Sequence, residues 1–471
     1  MFTKLGLKNF KAFDDLTISL KPITLLLGPN NSGKSSIIAA IRLLVQTVES
    51  SDPTVPLLLN GTMGNLGTYK DIVFGNHRGR PLEIHFSVSD EGELSRIEWN
   101  DSKEYWEAQS KKKNITLELA YKFRTQRREL ILENTCLKLN DRTLLSTIYS
   151  DDSEKQLIEK IGWEVVPPSL KSTLARTLRM HNFIPNTYFF VHSEQGSALH
   201  DFLSRGKPEQ RFREISFVTR TIIRALQNTD YIGAMRIPPS RLYAFTGERR
   251  YKVGAGGEHA ANILAMDTRR TGAKSNKVAS LVSEWLAKAE IASGFNIFQT
   301  TDSFYEIRIK HPKTNEEENL ADVGLGNSQI LPILVGGYNL SQGSTYLVEE
   351  PEIHLHPKAQ AELGSFFLDL YNARVQSIIE THSEHLVVRL QQYVADRKIS
   401  PDDIQVYYVY AQEGKKIVKQ LNMDGQGIFT KEWPEGFFPE RMEEAKKLAM
   451  IRFMKLSSSE KVGIIHSNEG E

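Results

Sequence analysis

The spacing of apolar residues changes several times along the chain, and each change predicts a different element. Runs over 5–13 and 16–20 read as two short strands, and Ile23–Leu27 is apolar apart from Thr24, as a strand buried on both faces should be. Glycine interrupts the pattern over 28–33. Residues 35–48 then place Ile37, Ile38, Ile41, Leu44, Val45 and Val48 at helical spacing. From Leu82 to Tyr149 apolar and polar residues alternate between turn residues, most regularly over 82–88 and 115–121, which predicts a β-rich meander. Helical patterns around 154–161 and 212–226, separated by Pro167-Pro168, predict a mainly helical insertion over 150–228. A helix over 275–291 and a strand over 304–310 follow, then an acidic loop, Glu316-Glu317-Glu318. The last segment, 438–471, is charged and helical in its first half. No internal repeat, coiled-coil heptad run or low-complexity tract interrupts this order.

Composition narrows the class. The 471 residues are 40% hydrophobic and 25% charged, enough to bury a large core in about two to four domains. With 59 Lys/Arg against 58 Asp/Glu the chain has no overall basic character. The stretch from Arg205 to Lys252 departs from that balance, with 11 Lys/Arg against 4 Asp/Glu, and reads as a solvated helical face or a phosphate-contacting surface. One cysteine, Cys136, excludes a disulfide framework and a cysteine metal cluster. No apolar run approaches 18 residues and the first 13 lack the apolar block of a signal peptide, so the expectation is a cytoplasmic protein with no membrane partner.

Candidate chemistry sits at both ends. Gly28-Pro-Asn-Asn-Ser-Gly33-Lys34-Ser35 fits the P-loop pattern GxxxxGK[ST] at every fixed position, between a buried strand and an amphipathic helix. Glycines let backbone amides curl around phosphate oxygens, the lysine reaches the outer phosphates, and the serine hydroxyl faces Mg2+. Far downstream, Thr345-Tyr-Leu-Val-Glu349-Glu350 is an apolar strand ending in two carboxylates, a Walker B segment in which Glu349 serves the metal and Glu350 polarises the attacking water. Before it, Val323-Gly-Leu-Gly-Asn-Ser328-Gln329 leads into an apolar run. After it, Ile378-Ile-Glu-Thr-His382-Ser383 is an apolar strand ending in a histidine. His354, His356, His382 and His385 read as turn, capping and surface residues rather than a metal cluster.

In that order, P-loop, serine-bearing signature, Walker B with its second glutamate and switch histidine resemble the ATP-binding-cassette heads. The long stretch between Lys34 and the signature resembles the split-head branch, which includes the SMC-like break-repair ATPases, RecF and the overcoming-lysogenization-defect (OLD) ATPases. Leu7-Lys-Asn-Phe-Lys-Ala-Phe and Glu350-Pro-Glu-Ile-His-Leu-His-Pro357 look like that branch more than like transporters. The resemblance covers 1–74 and 231–420 and implies an α/β fold: an ABC-type P-loop ATPase head of mixed sheet flanked by helices, with an antiparallel β subdomain and a helical insertion. It divides the chain into an N-terminal half-head (1–149), the insertion (150–228), a C-terminal half-head (229–430) and a helical tail (431–471). Three positions depart from the branch pattern. The signature keeps only Gly326-Asn-Ser328-Gln329, no Q-loop glutamine appears around 67–73, and Glu349 stands where aspartate is commoner.

The resemblance also implies roles. Lys34, Glu350 and His382 would be catalytic, and Gly28, Asn30, Asn31, Ser32, Gly33, Lys34, Ser35 and Ser36 would hold ATP. Ser35 and Glu349 would face Mg2+, and Ser328 of a second copy would reach the same nucleotide in trans. ATP-sandwiched heads imply a homodimer or higher homo-oligomer. OLD nucleases carry a C-terminal Toprim domain, and residues 383–471 show no such acidic cluster, so this chain is not expected to cut DNA itself. A head without an effector, with Trp433-Pro-Glu-Gly-Phe-Phe-Pro near its end, looks like the ATPase subunits of bacterial anti-phage systems such as Septu and PARIS, where a separate nuclease or toxin is the partner. The alternative is a repair ATPase acting directly on DNA, with the stretch from Arg205 to Lys252 as its nucleic-acid contact.

Overall fold

The computed structural model describes residues 1–90, 98–100, 105–107, 113–161, 164–170, 179–186, 208–269, 277–314 and 316–431. At its centre Ile23–Leu27 is buried throughout and lies between two parallel neighbours, Gln376–Glu380 and Ile404–Gln412. Beyond Gln376–Glu380 come Thr345–Glu349 and then Thr229–Ile232, also parallel; Lys415–Leu421 closes the other edge as an antiparallel hairpin strand.

Period-two alternation along these strands separates two cores. Leu26, Leu347, Ile378, Tyr407 and Val409 point to one face. There they meet helix Lys34–Val48 and, through it, the antiparallel sheet. Ile23, Leu25, Leu27, Tyr346, Val348, Ile379 and Val406 point to the other, against helices Ala260–Thr268, Lys277–Lys288, Leu325–Asn339, Pro357–Asn372 and Glu384–Ala395. This is the expected class, a mixed sheet flanked by helices with an antiparallel β subdomain.

The antiparallel subdomain is an eight-stranded sheet. Phe2–Phe10 and Phe13–Ser19 form one edge, and Leu82–Asp90, Lys113–Arg124, Glu129–Leu139, Arg142–Ser150, Lys155–Ile161 and Glu164–Val165 continue it. Buried Gln376 ties the two sheets. Its side chain accepts from the Phe2 N–H at 2.8 Å and the Thr345 hydroxyl at 3.1 Å, and donates to Phe2 O at 2.7 Å and Lys21 O at 3.0 Å.

Two local expectations need correction. The pattern over 154–161 is not helical: Lys155–Ile161 is a strand. Its apolar residues Ile158 and Ile161 are three apart, a helical interval, yet both are buried because the pairing with Arg142–Ser150 shifts register between Ser146 and Thr147. The bulge absorbs the odd residue. The acidic loop is also a strand in part, Glu317–Asn319, paired with Phe304–Lys310. The Glu317 carboxylate accepts from Asn296 Nδ2 at 2.6 Å and faces Lys310, so the acidic run has local counter-groups. Helix Pro208–Gln227 matches the second helical pattern. The expected tail helix and the motif beginning at Trp433 lie outside the described residues.

Candidate nucleotide site at the ends of the parallel strands

Strands Ile23–Leu27, Gln376–Glu380 and Thr345–Glu349 are adjacent and parallel, so whatever follows their last residues converges on one edge. Nucleotides bind at such edges of open α/β sheets. Gly28 leaves the first strand at φ 137°, and a Cβ there would stand 1.9 Å from Val409 O, so only glycine permits the turn. Helix Lys34–Val48 begins directly after the loop and directs its positive end to the loop's concave side. Asn30 and Asn31 are exposed, and Asn31 O accepts from Lys416 Nζ at 2.7 Å. Ser32 is buried, with its hydroxyl oxygen unpartnered, and Ser36 continues the first helical turn through Gly33 O at 3.0 Å.

Lys34 is 3% exposed. Its ammonium donates to Gly28 O at 2.9 Å and Pro29 O at 3.0 Å and lies 3.8 Å from Glu380 Oε1. Burial lowers its pKa, while Glu380, Glu350 and Glu352 pull it back up. Ser35 Oγ donates to the same Glu380 oxygen at 2.9 Å. Glu380 is a site residue that the sequence reading missed. It is 4% exposed, and its Oε2 has no partner. Burial, then the charge of Glu349 in the neighbouring strand, pushes its pKa up to about 7.

Glu349 and Glu380 are register partners in the parallel ladder. The Glu349 carboxylate lies 3.4 Å from the Arg42 guanidinium with the Tyr231 hydroxyl nearby; burial raises its pKa against both. Arg42 in turn lies over the Tyr231 ring, 4.1 Å from its centroid. Glu350 takes a left-handed conformation, φ 45°, fixed from two sides. Its N–H donates to Glu380 O at 2.7 Å, and Arg236 Nη2 donates to Glu349 O and Glu350 O, 2.9 Å each. Arg236 is 7% exposed and its Nε and Nη1 have no partner. In the sequence it was one more cation in a basic stretch.

His382 follows the Glu380 strand. Its N–H donates to Glu352 Oε1 at 2.5 Å, which couples the two turns. Partial desolvation, and then Lys34, lowers the imidazole pKa, while Glu350 opposes them. Among the other histidines, His356 caps helix Pro357–Asn372 by accepting from Ala359 N–H at 3.3 Å, while Ser383 rather than His385 caps helix Glu384–Ala395. No cluster of metal-ligating type forms among the described residues. Ser328 is buried in the first turn of helix Leu325–Asn339. Gly326 packs there so closely that a Cβ would stand 2.4 Å from His354 O, which brings the signature turn onto the turn after Glu350.

The place of a Q-loop is a capped turn. Thr68 and Asp71 form a capping box, and buried Tyr69 donates to Arg80 O at 3.1 Å. At least four described cations of the basic stretch have partners within the chain. Arg241 pairs with Asp322, Arg250 with Glu248 and Lys252 with Glu49, while Arg236 serves the glutamate turn. No helix among the described residues is long and apolar enough to cross a membrane.

A family model described as an AAA ATPase domain matches residues 1–204 and 261–387, which hold the P-loop, the signature turn, both glutamate strands and His382. A second family, described as a protein of unknown function (DUF3696), matches 399–448. No curated protein matches the chain. Among solved structures, the SMC head domain from Thermotoga maritima is 12% identical over 90% of this chain and 99% of that chain, with a TM-score of 0.39. An Smc head domain with an extended coiled coil, bound to the C-terminal domain of ScpA and derived from Pyrococcus furiosus, is 14% identical over 96% and 99%, with a TM-score of 0.41.

Proposed function

The chain belongs to the AAA ATPase domain family, and from that premise we propose that it binds ATP with Mg2+ at this sheet edge, hydrolyses it, and joins a second copy while the triphosphate is held. One observation carries the reading. Lys34 and Ser35 share an oxygen of Glu380, while Glu350 and His382 are close enough to shift or be shifted by Lys34. Phosphate-binding and water-activating groups thus surround one point.

The residues present fit the ligand. Among the described residues the ammonium of Lys34 is bound by two backbone carbonyls and Glu380, contacts that phosphate oxygens replace. Glycines 28 and 33, Asn30, Asn31, Ser32 and Ser36 line the same loop and helix start. Mg2+, when bound, would neutralise phosphate charge; Ser35 and the paired carboxylates that end the adjacent strands, Glu349 and Glu380, are the chain's groups near it. Glu350 orients and polarises the attacking water. His382 donates a hydrogen bond to the terminal phosphate. Ser328 of a partner copy completes the nucleotide's far side, which requires its buried turn to be reached across the interface.

ATP then acts by differential affinity, since it shifts an open–closed equilibrium only by what it binds better in the closed pair. We assign 1–149 and 229–430 to the two halves of the head, 150–228 to an insertion and 431–471 to a tail. The protein is cytoplasmic, and a separate nuclease or toxin is its effector in bacterial anti-phage defence. That role rests on the resemblance of a head without an effector, with the motif beginning at Trp433, to such ATPase subunits. The alternative is a repair-type ATPase acting directly on DNA through the basic stretch, in which at least four of 11 cations have partners within the chain.

The test is Mg2+-dependent ATP turnover and sedimentation on the full chain. Lys34→Ala should abolish nucleotide affinity, and Glu350→Gln should stop turnover while keeping the ATP-bound assembly. Parent protein without nucleotide affinity would end the proposal. Steep loss of DNA affinity between low and physiological salt would favour the repair role instead.

A further inference from the structure

Glu380 lies against the P-loop through one carboxylate oxygen and keeps the other buried and unpartnered. One carboxylate oxygen accepts from Ser35 Oγ at 2.9 Å, and the other is buried with no partner. A buried, half-satisfied carboxylate is costly unless a cation completes it. No described cation bonds to the unpartnered oxygen: Arg42 pairs with Glu349, Arg236 donates through Nη2 to backbone carbonyls, and Lys34 sits 3.8 Å from the other oxygen with two carbonyls closer.

The charge inventory points the same way. Glu349 and Glu350 act on Glu380, and Glu350 acts on Glu349 and Glu352, across an edge that holds Lys34, Arg42 and Arg236. A triphosphate added to that excess of negative charge is repelled unless a hard divalent cation enters with it. Mg2+ takes oxygen ligands, and a serine hydroxyl and a carboxylate on adjacent elements supply two without backbone movement.

We propose that Glu380, rather than Glu349, is the carboxylate that ligates the nucleotide-bound Mg2+ together with Ser35, and that Glu349 is a positioning residue held by Arg42 and Tyr231. This rests on the ATP-binding reading above. It also accounts for the missing Q-loop glutamine, because the adjacent strand supplies the oxygen that a loop would otherwise bring.

The test uses Mn2+ as the probe, with a non-hydrolysable ATP analogue, on the full-length chain. Free Mn2+ is read by electron paramagnetic resonance, and analogue affinity is read separately in excess chelator. Glu380→Gln keeps the shape and the Ser35 contact; it should weaken Mn2+ at least tenfold and leave metal-free analogue affinity unchanged or tighter. Glu380→Asp should fall between parent and Glu380→Gln. Glu349→Gln should weaken Mn2+ less than threefold. The assignment is overturned if Glu380→Gln binds Mn2+ within twofold of the parent, or if Glu349→Gln shows the larger loss. If the parent has no analogue affinity, or Lys34→Ala binds as the parent does, the ATP reading fails and this assignment fails with it.

Discussion

Replacing Arg236 by methionine should separate stability from turnover. The guanidinium makes two bonds, to Glu349 O and Glu350 O at 2.9 Å, and leaves Nε and Nη1 buried without partners. Two hydrogen bonds from a charged donor contribute about 3–6 kcal/mol at most. Against that stands the desolvation of a cation 7% exposed, a penalty of several kcal/mol. The two nearly cancel. Methionine keeps the stem's volume and removes the charge, so the expected stability change lies within about 1–2 kcal/mol of zero.

Turnover should respond differently. Glu350 is held at φ 45°, a conformation that costs a non-glycine residue about 1–2 kcal/mol and persists only while its surroundings impose it. Without the Arg236 clamp the Glu350 N–H bond to Glu380 O remains, but the carbonyl side is free to rotate. A displacement of about 1 Å at a water-activating group costs on the order of 10²-fold in rate. Single-turnover hydrolysis of Arg236→Met should therefore fall by about that factor, with ATP affinity within threefold of the parent. The reasoning is refuted if the folded variant hydrolyses ATP within threefold of the parent. Equal losses of rate and affinity would refute it too, since they would make Arg236 a nucleotide ligand.

Other expectations concern the frame. Gln376→Leu removes four hydrogen bonds and strands the Phe2 N–H, so chemical denaturation should show a loss of about 3–5 kcal/mol; a loss under 1 kcal/mol would mean the two sheets are not tied there. Gly28→Ala meets Val409 O at 1.9 Å and should destroy nucleotide affinity while leaving the far core folded by circular dichroism; retained affinity would mean the loop adopts another path. Asp230 is buried, accepting from the Val253 and Tyr231 N–H groups at 3.0 and 2.8 Å, and burial raises its pKa from 3.8 to about 6. The fold binds its proton more tightly than the unfolded chain does, so stability should fall as pH rises from about 4 to 6, by up to about 3 kcal/mol. In Asp230→Asn that slope should vanish from the pH dependence of urea unfolding, and an unchanged slope would assign it to another group.

What was readable in the sequence follows from what each element demands of its residues. A phosphate loop needs particular residue types at fixed spacing, so 28–35 announces itself, and a central parallel strand needs continuous apolarity, so Ile23–Leu27 does too. Glu380 announces nothing. A glutamate closing an apolar strand is ordinary, and it acquires meaning only when parallel pairing sets it in register with Glu349 on one side and Leu26 on the other. Arg236 is hidden by its neighbours, since in a stretch of 11 cations no local rule says which one turns inward. Strand Thr229–Ile232 begins with two polar residues that are nonetheless buried, because Thr229 donates to Ala225 O at 2.8 Å and Asp230 accepts from backbone amides. The residues that composition and periodicity miss are therefore those whose partners are supplied by another segment. Around this sheet edge they are the ones that hold the glutamate turn and lie against Lys34 and Ser35, so the assignment of chemistry depends on register more than on motif.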